Sequence, residues 1–251
     1  MNILLVDAGN TRIKWALADV NAAPGAWLAH GAVLHADVAT LGDTWRALDA
    51  GSALVSNVAG AALKAELAAL LGPLPVTWFA STATAAGVTN NYLEPSRLGC
   101  DRFASAIGAH ALYPGRALVI ATCGTATTID ALSSDGVFIG GMILPGLALM
   151  AGSLAKNTAQ LPQVKPGAAL PATFADNTND AIISGCINAQ AGAIERAVAA
   201  HGGAHCIVSG GAAGYIVPAL GIPHTVLENL VLTGLHAAAV APSVQPGELS
   251  C

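Results

Sequence analysis

A chain of 251 residues has room for one large domain or two small ones, each with a real core. Hydrophobic residues make up 54% of it and charged residues 10%, at a net charge of −5, which excludes a disordered chain and a basic footprint for nucleic acid. Five cysteines (Cys100, Cys123, Cys186, Cys206 and Cys251) are odd in number and form no C-x-x-C pair, so reduced, mostly buried thiols are expected rather than disulfides or a zinc site.

In chain order, "ILLVDAGNTRIKWAL" comes first. An apolar run reaches Asp7, turns through Gly9 and resumes at Ile13 and Trp15, as a β-hairpin would. No basic segment precedes it and no cleavage site follows, so no signal peptide is read and a cytoplasmic location is expected. "GAALKAELAALLG", residues 60–72, reads as a helix ended by Gly72 and Pro73. "RLGCDRFASAIGAHALY" reads as a loop entering a helix, with Phe103, Ile107 and Ala111 on one face.

"ALVIATCGTATTIDAL", residues 117–132, repeats the opening pattern of strand, small polar turn and strand, with Asp130 closing it. Setting Gly9 against Gly124 places Asn10-Thr11 against Thr125-Ala126 and Leu17 against Leu132. That match implies a duplicated architecture of two α/β halves, 1–115 and 116–251, facing each other across a cleft. Residues 136–155 carry no charge, but Gly140, Gly141, Pro145, Gly146 and Gly152 interrupt them. They read as a buried strand, a turn and a helix start rather than a membrane span. "NTNDAIISGCINAQAGAIERAVAAHG" is a long helix capped by Asn177 or Thr178, with Asp180 in its first turn and its end at Gly202-Gly203. "CIVSGGAAGYI" is a strand entering a glycine turn, and the tail "APSVQPGELSC" is expected to fray.

Several of these segments carry groups that suit phosphate chemistry. In "DAGNTRIK", Gly9 lets backbone approach a ligand, Asn10 and Thr11 offer donors, Lys14 adds positive charge, and Asp7 is the oxygen ligand that Mg²⁺ takes beside a phosphate. The same residues also suit an ordinary hairpin. "CGTATTID" offers a second such turn with the hydroxyls of Thr125 and Thr127. "LGCDR" supplies either a surface ion pair or a general base, Asp101, with Arg102 as an anchor for a carboxylate. "GSLAKNT" lacks the glycine and spacing of a Walker A loop. "SGG" at 209–211 suits an adenine or ribose, or a plain strand-to-helix turn. His201 and His205 are four apart, but Gly202-Gly203 between them break any helix, which argues against a metal pair.

The order of "DAGNTRIK", "NNYLEPSRLGCDR", "CGTATTID", "GGMILPG", "LAKNTAQLP" and "SGG" across the chain resembles the type III pantothenate kinases, the Bvg accessory factor family. The resemblance implies the actin-like ATPase and sugar kinase superfamily, with two ribonuclease-H-like halves. It implies transfer of the ATP γ-phosphate to the terminal hydroxyl of pantothenate, the first step of coenzyme A synthesis. By the same resemblance Asp7, Ala8, Gly9, Asn10, Thr11, Arg12, Ile13 and Lys14 would contact ATP, with Asp7 serving Mg²⁺ and Thr125 a second contact. Asp101 would be the proton acceptor. Tyr92, Gly99, Cys100, Asp101, Arg102 and Thr178 would line the pantothenate site, and the protein would be a homodimer with no membrane or nucleic-acid partner. The resemblance departs at Thr122, where the family carries an aspartate that helps to hold K⁺ or NH₄⁺; a neutral hydroxyl is a poorer ligand. A kinase of another small hydroxy acid, or an accessory protein of the same fold with weak turnover, are the alternatives.

Overall fold

A computed structural model describes residues 1–167 and 169–241. The protein is mixed α/β and divides into two compact units. The first contains Met1–Thr89, Pro95–Leu112 and the described residues from Val231 on; the second contains Asn90–Glu94 and Tyr113–Leu230.

In the first unit, β1 (Asn2–Ala8), β2 (Arg12–Asp19) and β3 (Ala29–Leu34) form an antiparallel meander. β4 (Ser52–Asn57) and β5 (Val76–Trp78) continue the sheet in parallel beyond β1, in the order β3-β2-β1-β4-β5. The apolar run of β1 follows from its central place. Successive side chains point to opposite faces, and both faces are covered. Leu4, Val6 and Ala8 pack with Leu41 and Trp45 of α1 (Leu41–Arg46) and with Leu63, Leu67 and Leu71 of α2 (Ala61–Leu71). Ile3 and Leu5 pack on the other side with Ala104, Leu232 and Leu235. A hairpin of β6 (Thr84–Ala85) and β7 (Val88–Asn90) precedes α3 (Cys100–Leu112), which contributes Ala104. Phe103 and Ile107 are buried as the helical spacing predicts, but Ala111 is exposed. Burial wraps most of α3 from Arg102 to Ala109 and stops before its last turn.

The second unit repeats the scheme. β8 (Leu118–Cys123), β9 (Ala126–Leu132) and β10 (Val137–Pro145) form a meander, and β11 (His205–Ser209) and β12 (His224–Val226) add in parallel beyond β8. α4 (Leu147–Asn157) and α5 (Thr178–Ala200) join β10 to β11, and α6 (Ala213–Ile216) follows β11. The hairpin match needs one correction. Ala8 pairs with Ile13, leaving four turn residues, whereas Cys123 pairs with Thr127, leaving three. Beyond the turn the alignment therefore slips by one, and Leu17 corresponds to Ala131 rather than Leu132. Asp130 lies inside β9, buried, and does not end it. β10 is not the buried strand expected: Ile139, Met142 and Ile143 are exposed.

α7 (Leu230–Val240) returns the chain to the first unit. It meets α3 backbone to backbone. A Cβ on Gly234 would lie 1.7 Å from the Ala104 carbonyl oxygen, so only glycine fits. Among the described residues, no helix is long and apolar enough to cross a membrane. The tail expected to fray lies, after Ala241, outside the described residues.

Candidate active site

The pairing of Asp7 with Lys14 and of Ala8 with Ile13 leaves Gly9, Asn10, Thr11 and Arg12 as the first turn. Ala8 and Ile13 are fully buried and anchor its base, whereas Asn10, Thr11 and Arg12 are exposed. The Gly9 amide closes the turn by donating to the Arg12 carbonyl at 3.2 Å. The Gly9 carbonyl lies 2.7 Å from Nε2 of His35.

β4 brings a second element to Asp7. Ser56 is in register with Asp7, and Asn57 with Ala8. Ser56 Oγ lies 3.3 Å from Cys100 Sγ, and the Cys100 thiol donates to the Asn57 carbonyl at 3.7 Å. These contacts tie the first residue of α3 to the end of β4 and set Asp101 beside Asp7. Asp101 Oδ1 accepts the Arg102 amide at 2.8 Å. A Cβ on Gly99 would sit 2.7 Å from that same oxygen, which explains the glycine in "LGCDR". Arg102 is buried, so this is not the surface ion pair that the sequence also allowed.

The two carboxylates titrate abnormally. Burial, then the charge of Asp101, push Asp7 up to about 7 against the opposing pull of Lys14. Burial also raises Asp101, opposed by the Arg102 amide and the Arg102 charge. Two desolvated carboxyls of like charge favour a shared proton or a bound cation. Among the described residues no group of three His, Cys, Asp or Glu is placed to cage a metal. Mg²⁺ bound through one carboxylate, water and phosphate oxygens fits this donor set; an all-protein cage does not.

In the second unit the turn is Gly124, Thr125 and Ala126, all exposed. Its backbone is gripped from two sides. The Thr125 carbonyl accepts the Gly146 amide at 2.9 Å, and the Cys123 carbonyl accepts the Ala212 amide at 2.9 Å. A Cβ on Gly146 would lie 2.0 Å from the Gly124 oxygen, and one on Gly210 (φ +96°) 2.3 Å from the Cys123 oxygen. The glycines of "GGMILPG" and "SGG" thus serve this turn directly. Thr127, expected to offer a hydroxyl to a ligand, is fully buried and donates to Gln190 Oε1 at 2.7 Å. Thr122 pairs with Thr128 where the first hairpin pairs Asp7 with Lys14, so a charged pair there is replaced here by two hydroxyls. Thr128 Oγ1 is buried with no partner among the described residues.

Tyr92 packs edge-on against Phe138, 5.8 Å between ring centres. Asn177, not Thr178, caps α5, its Oδ1 accepting the Asp180 amide at 3.0 Å. Thr178 lines an open groove of about 670 Å³ with Met150, Leu154, Ile182 and Cys186. Lys156 lies in the last turn of α4. The structure therefore brings Asp7, the first turn and the segment 99–102 together in the first unit, whereas Tyr92, Thr122, Thr125 and Thr178 belong to the second, Tyr92 against Phe138 and Thr178 in the groove beside α5. Sequence reading missed His35, Ser56 and Asn57; only the polar "SN" at the close of an apolar run hinted at the last two. Cys123 and Cys206 are buried thiols, each pushed up to about 11 chiefly by burial.

A family model described as type III pantothenate kinase matches residues 3–200. The chain is 59% identical to the type III pantothenate kinase of Janthinobacterium sp. (strain Marseille), covering 96% of this chain and 98% of that one. It is 55% identical to that of Herminiimonas arsenicoxydans, covering 95% and 97%. Among solved structures, the activator of the 2-hydroxyisocaproyl-CoA dehydratase from Clostridium difficile with bound ADPNP superposes with a TM-score of 0.53 at 13% identity, covering 96% of this chain and 93% of that one. The ethanolamine utilization protein EutJ from Carboxydothermus hydrogenoformans superposes with a TM-score of 0.56 at 13% identity, covering 96% and 89%. At such identities the likeness is one of fold.

Proposed function

Because the chain belongs to the type III pantothenate kinase family, we propose that it transfers the γ-phosphate of ATP to the terminal hydroxyl of pantothenate, opening coenzyme A synthesis. Its fold is that of the actin-like ATPases and sugar kinases. The observation that carries the mechanistic reading is Asp101, half-buried at the start of α3, with its carboxyl raised toward the working range of a general base.

Phosphoryl transfer needs positioning and charge neutralisation more than covalent chemistry. In this reading Asn10, Thr11, Arg12, Lys14 and the Gly9 turn hold the phosphates, and Thr125 makes a further ATP contact. Asp7 holds Mg²⁺, which neutralises phosphate charge when bound. Tyr92, Gly99, Cys100 and Thr178 line the pantothenate site, and Arg102 pairs with the pantothenate carboxylate, a strong contact when desolvated. Asp101 accepts the hydroxyl proton as attack proceeds. A site for K⁺ or NH₄⁺ stays in doubt at Thr122, whose neutral hydroxyl is a poorer ligand, so other oxygens would have to complete it; Thr128 Oγ1, with no partner among the described residues, is one. The halves 1–115 and 116–251 are read as a duplication, supported by the repeated strand order. The homodimer and the cytoplasmic location complete the proposal.

The test is turnover of the purified chain with ATP, Mg²⁺ and pantothenate, with and without K⁺ or NH₄⁺. ADP release that depends on pantothenate is expected. Absence of turnover under every cation would support an accessory role, and preference for another hydroxy acid would change the acceptor. Asp101→Asn should lower kcat by about 10²–10⁴-fold while leaving ATP binding nearly intact. Turnover close to the parent's would remove Asp101 from the role of base.

A further inference from the structure

The first turn is held by a residue from outside its hairpin. β3 pairs with β2 so that Leu34 lies opposite Arg12, and the next residue, His35, comes level with the turn. His35 Nε2 lies 2.7 Å from the Gly9 carbonyl oxygen. A carbonyl has no proton to give, so Nε2 carries the hydrogen and donates it.

The consequence lies in the peptide that follows. In a planar trans peptide the carbonyl and the next amide point in opposite directions, and no peptide of the described chain is cis. With the Gly9 carbonyl drawn to His35, the Asn10 N–H is aimed away from it. That amide has no partner among the described residues, and Asn10 is exposed. Glycine rotates its backbone at little steric cost, so Gly9 cannot maintain this orientation alone. A flip of the Gly9–Asn10 peptide would turn a carbonyl dipole toward the exposed side and withdraw the amide, reversing the sign of the field that an anion meets there.

We propose that His35 is a positioning residue for phosphate binding: by holding the Gly9 carbonyl it keeps the Asn10 amide turned outward as a donor to an ATP phosphate. The proposal rests on the reading of this turn as an ATP contact. It assigns His35 no contact with ATP or pantothenate. Its effect belongs to ATP affinity and not to acceptor binding.

Steady-state kinetics of His35→Leu and His35→Gln test it, beside Thr11→Ala as a reference for the turn itself. His35→Leu should raise KM for ATP about tenfold, with kcat and KM for pantothenate within about twofold of the parent. His35→Gln, whose amide can donate from nearly the same position, should recover most of the loss. In the unsubstituted protein, ¹⁵N spectra of the histidines should show His35 with its hydrogen on Nε2 before and after MgATP is added. The proposal falls if His35→Leu keeps the parental KM for ATP, if it weakens both substrates alike, if His35→Gln recovers nothing, or if His35 carries its hydrogen on Nδ1 alone. Should His35→Leu fail to fold, His35→Gln and the spectra decide. If Thr11→Ala raises KM for ATP and His35→Leu does not, only the role of His35 is lost. If neither variant alters it, the reading of the turn itself fails.

Discussion

Asp7 and Asp101 bring like charges together in a partly desolvated place, and the pH dependence of stability should record it. Unfolded, Asp7 loses its proton near its ordinary value of 3.8; folded, it keeps the proton up to about 7. Between those values the folded state binds more protons, so its stability falls as pH rises through the window. Asp7→Asn removes that slope. Without Mg²⁺ or nucleotide, its Tm should gain on the parent's steadily from pH 4 to pH 7, by calorimetry, even as activity is lost. A constant gap across that range would mean that Asp7 titrates normally. At this scale the residue types were readable: Asp7, Asp101 and the glycine at Gly99 all stood out in the sequence. Their mutual repulsion was not, because it depends on Ser56 and Asn57, some 44 residues before Cys100, anchoring the start of α3.

The elements depend on a few close backbone approaches. α7 crosses α3 at Gly234, where any side chain would strike the Ala104 carbonyl. Gly234→Ala should therefore cost at least about 3 kcal/mol in urea unfolding, since neither helix backbone can yield without disturbing the core around Leu5 and Leu235. A cost below about 1 kcal/mol, the ordinary range for glycine in a helix or better, would mean that the helices part easily. The helices α2, α3 and α5 were legible from spacing and caps. The exposure of Ala111 and of much of β10 was not. Periodicity says which residues share a face, but not how far along the element its cover extends. Nor could the sequence show that the second hairpin is one residue shorter, because both turns use the same small residues and only strand register distinguishes them.

At the scale of the molecule, the five strands of the first sheet and five of the seven in the second share one order, an antiparallel meander with two parallel strands beyond its first member; β7 and β6 extend only the second sheet. The repeated part of that order was visible in two hairpins separated by more than a hundred residues. The compact units are nevertheless not consecutive stretches, since α7 belongs to the first. A fragment of residues 1–115 lacks Leu232 and Leu235, which cover Ile3, Leu5 and Ala104. It should show weak amide protection and bind a hydrophobic dye, and a fragment in which residues 230–241 are joined to it by a flexible linker should recover protection. Equal protection in both fragments would show that the first unit folds without its last helix.

The local pattern of the chain sufficed for the strands of the two hairpins, for β10 and β11, for α2, α3 and α5, for the two polar turns and for the family to which they belong, because apolar periodicity and turn chemistry act between near neighbours. Tertiary structure alone decided which side chains hold those turns. His35 reaches Gly9, Gln190 takes the hydroxyl of Thr127, and Gly146 and Gly210 close on the second turn. Those contacts follow from strand register and close backbone packing, and neither is written in any single stretch of sequence.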